Sequence, residues 1–322
     1  MKHIAILCGG FSSEFEISKK SATTILNNFP AGYFPFLVEV TKKSWTAIIS
    51  EERIAYNPWE QSYEFEGKKR IIDAAIIYIH GNPGENGKIQ AMLEMQEIPY
   101  INSGSLASEL SFDKWYCNQF LKGFDIPVAN SLLLLNPTDF STDEIIDTLG
   151  LPCFVKPSDS GSSYGISKVN QQEELQAALS KAFEEGKTVV IESFLKGTEV
   201  TCGAYNTKEG IKTLPITEIV SENDFFDFEA KYLGKSEEII PARISEIEEI
   251  RINEITIKIY KLLKLRSIAR IDFMLVNNIP HVIEVNTTPG FSEASIVPRM
   301  LAHQGKSIQE FWEEILDLEL IK

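Results

Sequence analysis

Cysteine and histidine are scarce in this chain, with four of each in 322 residues. Cys8, Cys117, Cys153 and Cys202 are widely separated and form no C-x-x-C pair. Cys8 and Cys153 lie inside apolar runs, so the reading is reduced core thiols rather than a disulfide framework. No two histidines are spaced as a ligand pair, which argues against a zinc site. Long apolar runs are missing as well. Ile4 to Cys8 and Val189 to Ile191 fall far short of the roughly 20 residues that cross a bilayer. The first strand runs directly into Gly9 and Gly10 and then acids, with no small-residue cleavage pattern, so the expectation is an unprocessed cytoplasmic protein without membrane contact. Positive charge is in deficit, 31 Lys and Arg against 46 Asp and Glu, for a formal net charge of −15. Such a balance repels phosphate backbones and excludes nucleic acid as an expected partner, so an anionic ligand has to be held by local cations. Finally, no G-x-x-x-x-G-K-[ST] and no G-x-G-x-x-G occurs, which rules out a P-loop and a dinucleotide fingerprint.

What is present is an ordinary globular composition, 43% hydrophobic and 24% charged, in a chain long enough for two or three domains. "KHIAILC", "FPFLVEV" and "IDAAIIYIH" read as buried strands and "EISKKSATTILNNF" as an amphipathic helix, an alternation that predicts a parallel α/β sheet over residues 1–102. A second unit, 103–195, holds the helix "SFDKWYCNQFLKGF", the strand "NSLLLL", a helix near Asp143 to Leu149, and two strands joined by the Gly/Ser loop of "PCFVKPSDSGSSYGISKV". It closes with a helix from Glu173 to Glu185 and the strand "TVVIESFL". A third unit, 196–322, carries the strands "EVTCGAY" and "IKTLPIT", an irregular stretch from Ser221 to Ser245, the helix "EIEEIRINEITIKIYKLL", two further strands and a C-terminal helix. No internal repeat or low-complexity tract interrupts them.

Those two further strands, in "RSIARIDFMLVNNIPHVIEVNTTPG", carry an anomaly. Arg270 and Asp272 share one strand face, with Ile271, Phe273 and Leu275 on the other; Glu284 and Asn286 likewise oppose Ile283 and Val285. A hairpin turning at Asn277 to Ile279 pairs Asp272 with Glu284 and Arg270 with Asn286. Two carboxylates placed opposite each other are destabilising. A protonated acid, a salt bridge to Arg270 or a bound cation would each relieve them. The turn chemistry of "NTTPG" at the strand end and the all-oxygen donor set favour a cation, magnesium or manganese bridging phosphates.

"KPSDSGSSYGISK" adds Lys156 at a strand end and small residues whose amides can approach an anion. "VVIESFLKGTEV" places Glu192 and Glu199 where an apolar slot and acceptors for a ribose are chemically suitable. The stretch "SENDFFDFEAKYLGKSEEII" reads as a mobile surface loop or as a lid.

Taken in order, "GGFSSEFEIS", "HGNPGENGKIQ", "PYINSG", "DK", "VKPSDSGSSYGISKV", "DFEAKY", "ARIDFM" and "EVNTTPGFSEASIVP" resemble, across nearly the whole chain, the D-alanine:D-alanine ligases of the ATP-grasp superfamily. The resemblance implies an α/β (α+β) ATP-grasp fold: an N-terminal parallel α/β domain with the first substrate site, a small central domain, and a C-terminal domain with an antiparallel sheet, the metal site and the lid. It implies an enzyme that joins two D-alanines at the expense of ATP through an acyl phosphate, for peptidoglycan, acting as a homodimer. By the same resemblance Asp272, Glu284 and Asn286 hold two magnesium ions, with manganese as a substitute, and Arg270 stabilises the oxyanion. Lys114, Lys156 and Lys231 match the nucleotide-phosphate lysines, Glu192 and the backbone near Leu195 the adenine site, and Glu199 the ribose acceptor. Glu14 matches the receiver of the first ammonium group, with His80 close by. Ser162 and Tyr232 match the pair linked to Glu14, and Ser295 with the Ile296 amide matches the receiver of the second carboxylate.

Departures from the family pattern are Phe226, Phe228, Asn86 and Tyr164, which bear on lid closure or nucleotide affinity and leave the metal and oxyanion positions untouched. Two alternatives stand beside this reading. One is a ligase of the same fold that takes D-lactate or D-serine in the second site, against whose ester-forming type Tyr232 argues. The other is a non-catalytic nucleotide-binding regulator, in which the metal ligands are usually lost.

Overall fold

The computed structural model describes residues 1–161, 165–221 and 236–320. Residues 2–101 build an eight-stranded sheet in the order β6-β5-β4-β3-β2-β1-β7-β8. Its parallel part is β2 (Tyr33–Val40), β1 (Lys2–Gly9), β7 (Ala74–Ile77) and β8 (Tyr100–Ile101). Ile4 through Cys8 have no exposure, as expected of strands covered on both faces. The sheet is extended by β3 (Trp45–Ile49), β4 (Glu52–Asn57), β5 (Ser62–Phe65) and β6 (Lys68–Ile71), an antiparallel meander that the sequence pattern does not separate. Two helices, α1 (Phe15–Asn27) and α2 (Lys88–Met95), complete this region.

The predicted single helix over "SFDKWYCNQFLKGF" is in fact the end of α3 (Ser105–Phe112) and all of α4 (Lys114–Lys122). The break has a local cause: Asp113 is extended at φ −85°, ψ 108° and caps α4 by accepting the Tyr116 amide at 3.1 Å. Beyond α4 lies a four-stranded antiparallel sheet, β11-β10-β12-β9, made of β9 (Ser131–Leu134), β10 (Cys153–Pro157), β11 (Ser167–Val169) and β12 (Val189–Ser193). One of its faces packs on α5 (Thr142–Leu149) and α6 (Leu175–Glu185) through Val155, Ile191, Ile145 and Leu179. All four cysteines are free and buried.

The third sheet runs β16-β15-β13-β17-β18, with β14 (Gly210–Thr213) also on β13 (Thr198–Thr207). The remaining strands are β15 (Thr217–Ser221), β16 (Ser236–Ile239), β17 (Ile268–Val276) and β18 (Ile279–Asn286). Val200, Cys202, Ile271, Phe273, Val282 and Val285 form a core with Ile252, Ile259 and Tyr260 of α7 (Glu246–Leu262). Each such aliphatic side chain contributes roughly 1.5–3 kcal/mol of burial. That core fixes the opposite face of the sheet as polar.

The β17–β18 hairpin corrects the expected turn while keeping the expected pairing. The strands turn over two residues, Asn277 (φ 49°) and Asn278 (φ 64°), both left-handed as a tight hairpin requires. From there the register runs Val276↔Ile279 to Phe273↔Val282, then shifts at a bulge to give Asp272↔Glu284 and Arg270↔Asn286. Val282, rather than the expected Ile283, therefore joins the core. The surplus residue is absorbed at Ile283.

Helices α8 (Ile296–His303), absent from the sequence-based expectation, and α9 (Ile308–Glu319) return to the first sheet, where Met300, Leu301, Phe311 and Trp312 share a core with Ile4 and Ile6. Polar ties fix the connecting loop to that sheet. Tyr78 Oη donates to Pro289 O at 2.9 Å, Asn102 Nδ2 to Thr288 Oγ1 at 2.8 Å, and the Phe291 amide to Ser21 Oγ at 3.1 Å. No helix among the described residues is long and apolar enough to span a membrane.

Candidate active site

The polar face of the third sheet, the ends of the first sheet and the Gly/Ser loop meet at a cleft of about 380 Å³, within the range of small-molecule sites. Glu14, His80, Lys114, Arg270, Glu284, Asn286, Ser295 and Ile296 line it, all of them residues expected from the sequence.

Glu14 is supplied by the turn after β1. It sits at the N-cap position of α1, but its side chain makes no cap hydrogen bond, so helix capping does not account for it. Its carboxylate instead faces the Gly/Ser loop closely enough that a Cβ on Gly161 would lie 2.8 Å from Oε2. His80, after β7, is buried, and its Nε2 lies 3.2 Å from Ser21 Oγ. Burial lowers its pKa, with the Glu14 charge opposing, so the ring is neutral near pH 7.

The loop after His80 contributes a residue that sequence reasoning missed. Glu85 lines the cleft and accepts the Gly81 amide at 2.7 Å. Burial, and then the charge of Glu14, pushes its pKa up to about 8, Glu284 adding to the rise and the Gly81 amide and Lys114 opposing it. The acid of "GENG" was the available signal. Its neighbour Asn86 lies 3.0 Å from the Asn82 side chain and does not line the cleft. Ile17 and Lys20 of α1, and Ser111, whose hydroxyl is buried without a partner among the described residues, also escaped the sequence analysis.

Lys114 joins two parts of the site, donating to Ser160 O at 2.6 Å and lying 3.9 Å from Glu284 Oε2. Four residues on, in the same helix, Asn118 donates to Glu192 Oε1 at 3.2 Å. Lys156 pairs with Glu192 at 2.7 Å, both largely buried, and the two stand on the face of the central sheet opposite its core. Leu195 comes next, in the loop after β12. Glu199 pairs with Met274 in register and so shares a face with Asp272. Lys156 and Glu192 thus pair outside the cleft itself, and neither Leu195 nor Glu199 lines the cleft.

At the centre, Arg270 Nε and Nη2 donate to the two Asp272 oxygens at 2.8 and 2.7 Å, a fork that fixes the guanidinium plane. Thr201 Oγ1 donates to Asp272 at 2.5 Å and Asn286 Nδ2 at 3.0 Å. Of the three remedies for the facing carboxylates, this structure displays the salt bridge. Asp272 stands beside the other two expected ligands, opposite Glu284 in register and accepting from Asn286, with its oxygens engaged by Arg270, and it does not itself line the cleft. Among the described residues no group of three or more His, Cys, Asp or Glu gathers as a metal cluster, the third member here being Asn286. The donors are nonetheless two carboxylates and a carboxamide, hard oxygens that fit a magnesium-like ion, with Glu284 and Asn286 at the cleft wall.

Ser295 is the N-cap of α8 but makes no cap hydrogen bond with its side chain. Its hydroxyl instead meets Ser292, accepting the amide at 3.0 Å and lying 2.8 Å from the Ser292 hydroxyl. With the Ile296 amide it opens a helix N-terminus, an environment suited to a carboxylate. The remaining expected site residues, Ser162, Lys231 and Tyr232, lie outside the described residues, as do Tyr164, Phe226, Phe228 and most of the expected lid.

The family model "D-ala D-ala ligase C-terminus" matches residues 120–317, and "D-ala D-ala ligase N-terminus" matches residues 3–103. A protein of Azobacteroides pseudotrichonymphae named D-alanine–D-alanine ligase is 43% identical over 322 residues, covering 98% of this chain and 99% of the relative. The crystal structure of D-alanyl-alanine synthetase A from Vibrio cholerae superposes with a TM-score of 0.89 at 30% identity, covering 100% of this chain and 99% of that one. A D-alanine–D-alanine ligase from Bacillus anthracis solved in complex with ATP superposes with a TM-score of 0.80 at 28% identity, covering 99% of this chain and 98% of the other.

Proposed function

The chain belongs to the D-ala D-ala ligase family, and from that membership we propose that it joins two D-alanines to D-alanyl-D-alanine with cleavage of ATP to ADP and phosphate. It does so for peptidoglycan synthesis, in the cytoplasm and as a homodimer. The observation that carries the proposal is the meeting of Glu14, Arg270, Glu284 and Ser295, from three separate chain regions, around one cleft.

In this reading the first D-alanine lies with its ammonium on Glu14, near the neutral His80. Its carboxylate oxygen attacks the γ-phosphorus of ATP, ADP leaves, and an acyl phosphate results. Lys114 and Lys156 hold phosphates, Lys231 reaches the γ-phosphate, Glu192 and the backbone at Leu195 take adenine, and Glu199 takes the ribose. Asp272, Glu284 and Asn286 would hold magnesium or manganese, which neutralises phosphate charge when bound. Ser295 and the Ile296 amide receive the carboxylate of the second D-alanine. Its amine attacks the acyl carbonyl, and Arg270, oriented by Asp272, balances the oxyanion until phosphate departs. Ser162 and Tyr232 close the constellation around Glu14.

A coupled assay of ATP consumption across D- and L-amino acids, with the product identified, tests this. D-alanine is expected to support turnover and to yield the dipeptide even with D-lactate present at neutral pH. Mainly ester product, or preferential coupling to D-serine, would overturn the choice of acceptor, and no ATP consumption with any amino acid would overturn the activity.

A further inference from the structure

One charged pair at the cleft wall has no part in the chemistry proposed above. Glu238, in β16, pairs in register with Ile219 and lines the cleft with Arg270, Ser295 and Ile296. Its carboxylate meets Nη1 of Arg299, whose Nη2 donates to the main-chain carbonyl of Glu238 at 3.0 Å. Arg299 thus grips one residue by side chain and backbone together, a fork that lysine does not reproduce. It lies one turn into α8, with its own amide 3.3 Å from Ser295 O. The pair therefore ties a strand bounding the cleft to the helix whose N-terminus carries Ser295 and Ile296. Burial raises the Glu238 pKa, while the facing charges of Arg299 and Arg270 oppose that rise.

Solvent exposure separates positioning from simple bracing. The Arg299 side chain is 41% exposed and that of Glu238 16%, so the pair is open to solvent on its arginine side, where screening limits its contribution to global stability. Small displacements at a reacting centre, by contrast, have large kinetic effects. Resting on the ligase reading, we propose that Glu238 and Arg299 are a positioning pair for the acceptor amino acid. They hold the start of α8 against β16, so that Ser295 and the Ile296 amide present the acceptor at a set distance from Arg270.

The test uses the full chain with Arg299→Met and Glu238→Gln. A complete D-alanine saturation curve separates donor and acceptor KM, and hydroxylamine trapping reports the acyl phosphate with a nucleophile that has no carboxylate to place. Both variants are expected to raise the acceptor KM about tenfold, with hydroxamate formation, donor KM and ATP KM changing by no more than about twofold. Arg299→Lys, which keeps the charge and loses the fork, falls between. An unchanged acceptor KM overturns the proposal. So does a joint decline of donor, ATP and acceptor parameters with the thermal midpoint, which is the signature of packing alone. If Arg299→Met does not fold, Glu238→Gln, which retains the shape, decides. Wild-type protein that makes no D-alanyl-D-alanine removes the ligase reading itself, and that result is read before any variant is compared.

Discussion

The first and third sheets serve the same cleft by opposite means. In the first, parallel strands are buried on both faces and lend the site only residues beyond their C-terminal ends: Glu14 after β1, and His80 and Glu85 after β7. In the third, antiparallel strands keep one face for the core with α7 and give the other to Arg270, Glu284 and Asn286. A sheet covered twice has no face left for chemistry, so its functional groups move to loops. A sheet covered once can hold reacting groups rigidly, with their spacing set by the ladder itself.

The largest expected effect falls on the third sheet. Glu284→Gln removes one anionic oxygen from the face while leaving Phe273 and Val282 in place. ATP-dependent phosphate release with D-alanine is therefore expected to drop at least about 100-fold, with the thermal midpoint nearly unchanged. Full turnover in this variant would mean that the sheet face is only a solvated surface.

The next effect belongs to the loops of the first sheet and reads out in pH. The folded protein holds the Glu85 proton up to about pH 8, against an ordinary value of 4.5. The associated stability is thus fully present below 4.5 and is lost as pH rises toward 8. Glu85→Gln, neutral throughout, should lack that decline and be the more stable protein at alkaline pH. Thermal midpoints measured for both proteins at pH 5 and pH 8.5 check this, and parallel curves would show that Glu85 is more solvated than its surroundings indicate.

The smallest effect concerns the seam between the two regions. Tyr78→Phe removes the hydrogen bond to Pro289 O at 2.9 Å and should cost about 1 kcal/mol in denaturant unfolding, with a modest loss of turnover through the 287–291 loop. A loss of activity as great as that of Glu284→Gln would show that the loops and the sheet face are not separable.

The same contrast governs how much is legible in the sequence. Arg270, Asp272, Glu284 and Asn286 stand out because polar groups at every second position break an otherwise apolar strand pattern. Their pairing is legible too, but the turn and the bulge are not. In "HVIEVN" both Val282 and Ile283 are apolar, so composition is indifferent to which of them faces the core. Glu85 escapes notice because an isolated acid among Gly, Asn and Pro looks like ordinary turn chemistry. Helix α8 is hidden because Pro298 lies in its first turn, a position that tolerates proline but reads as a breaker. The charged strands of the meander, such as "KKRI", carry little apolar periodicity because they are largely exposed. The engagement of the Asp272 carboxylate by Arg270, Thr201 and Asn286 is a matter of three-dimensional competition for one carboxylate, which no spacing rule reports.

The bulge at Ile283 has a consequence for anyone who alters this hairpin. With that residue deleted, Val282, Glu284, Val285 and Asn286 would alternate in step with β17 without interruption. With it retained but laid flat, Glu284 would rotate into the apolar layer beside α7. The phase of the acidic end is therefore set locally, three residues from Asn286, and is decoupled from whatever happens at the Asn277–Asn278 tip. Exchanging the tip is a conservative edit, whereas splicing a strand across residue 283 inverts the half of it that carries the charge.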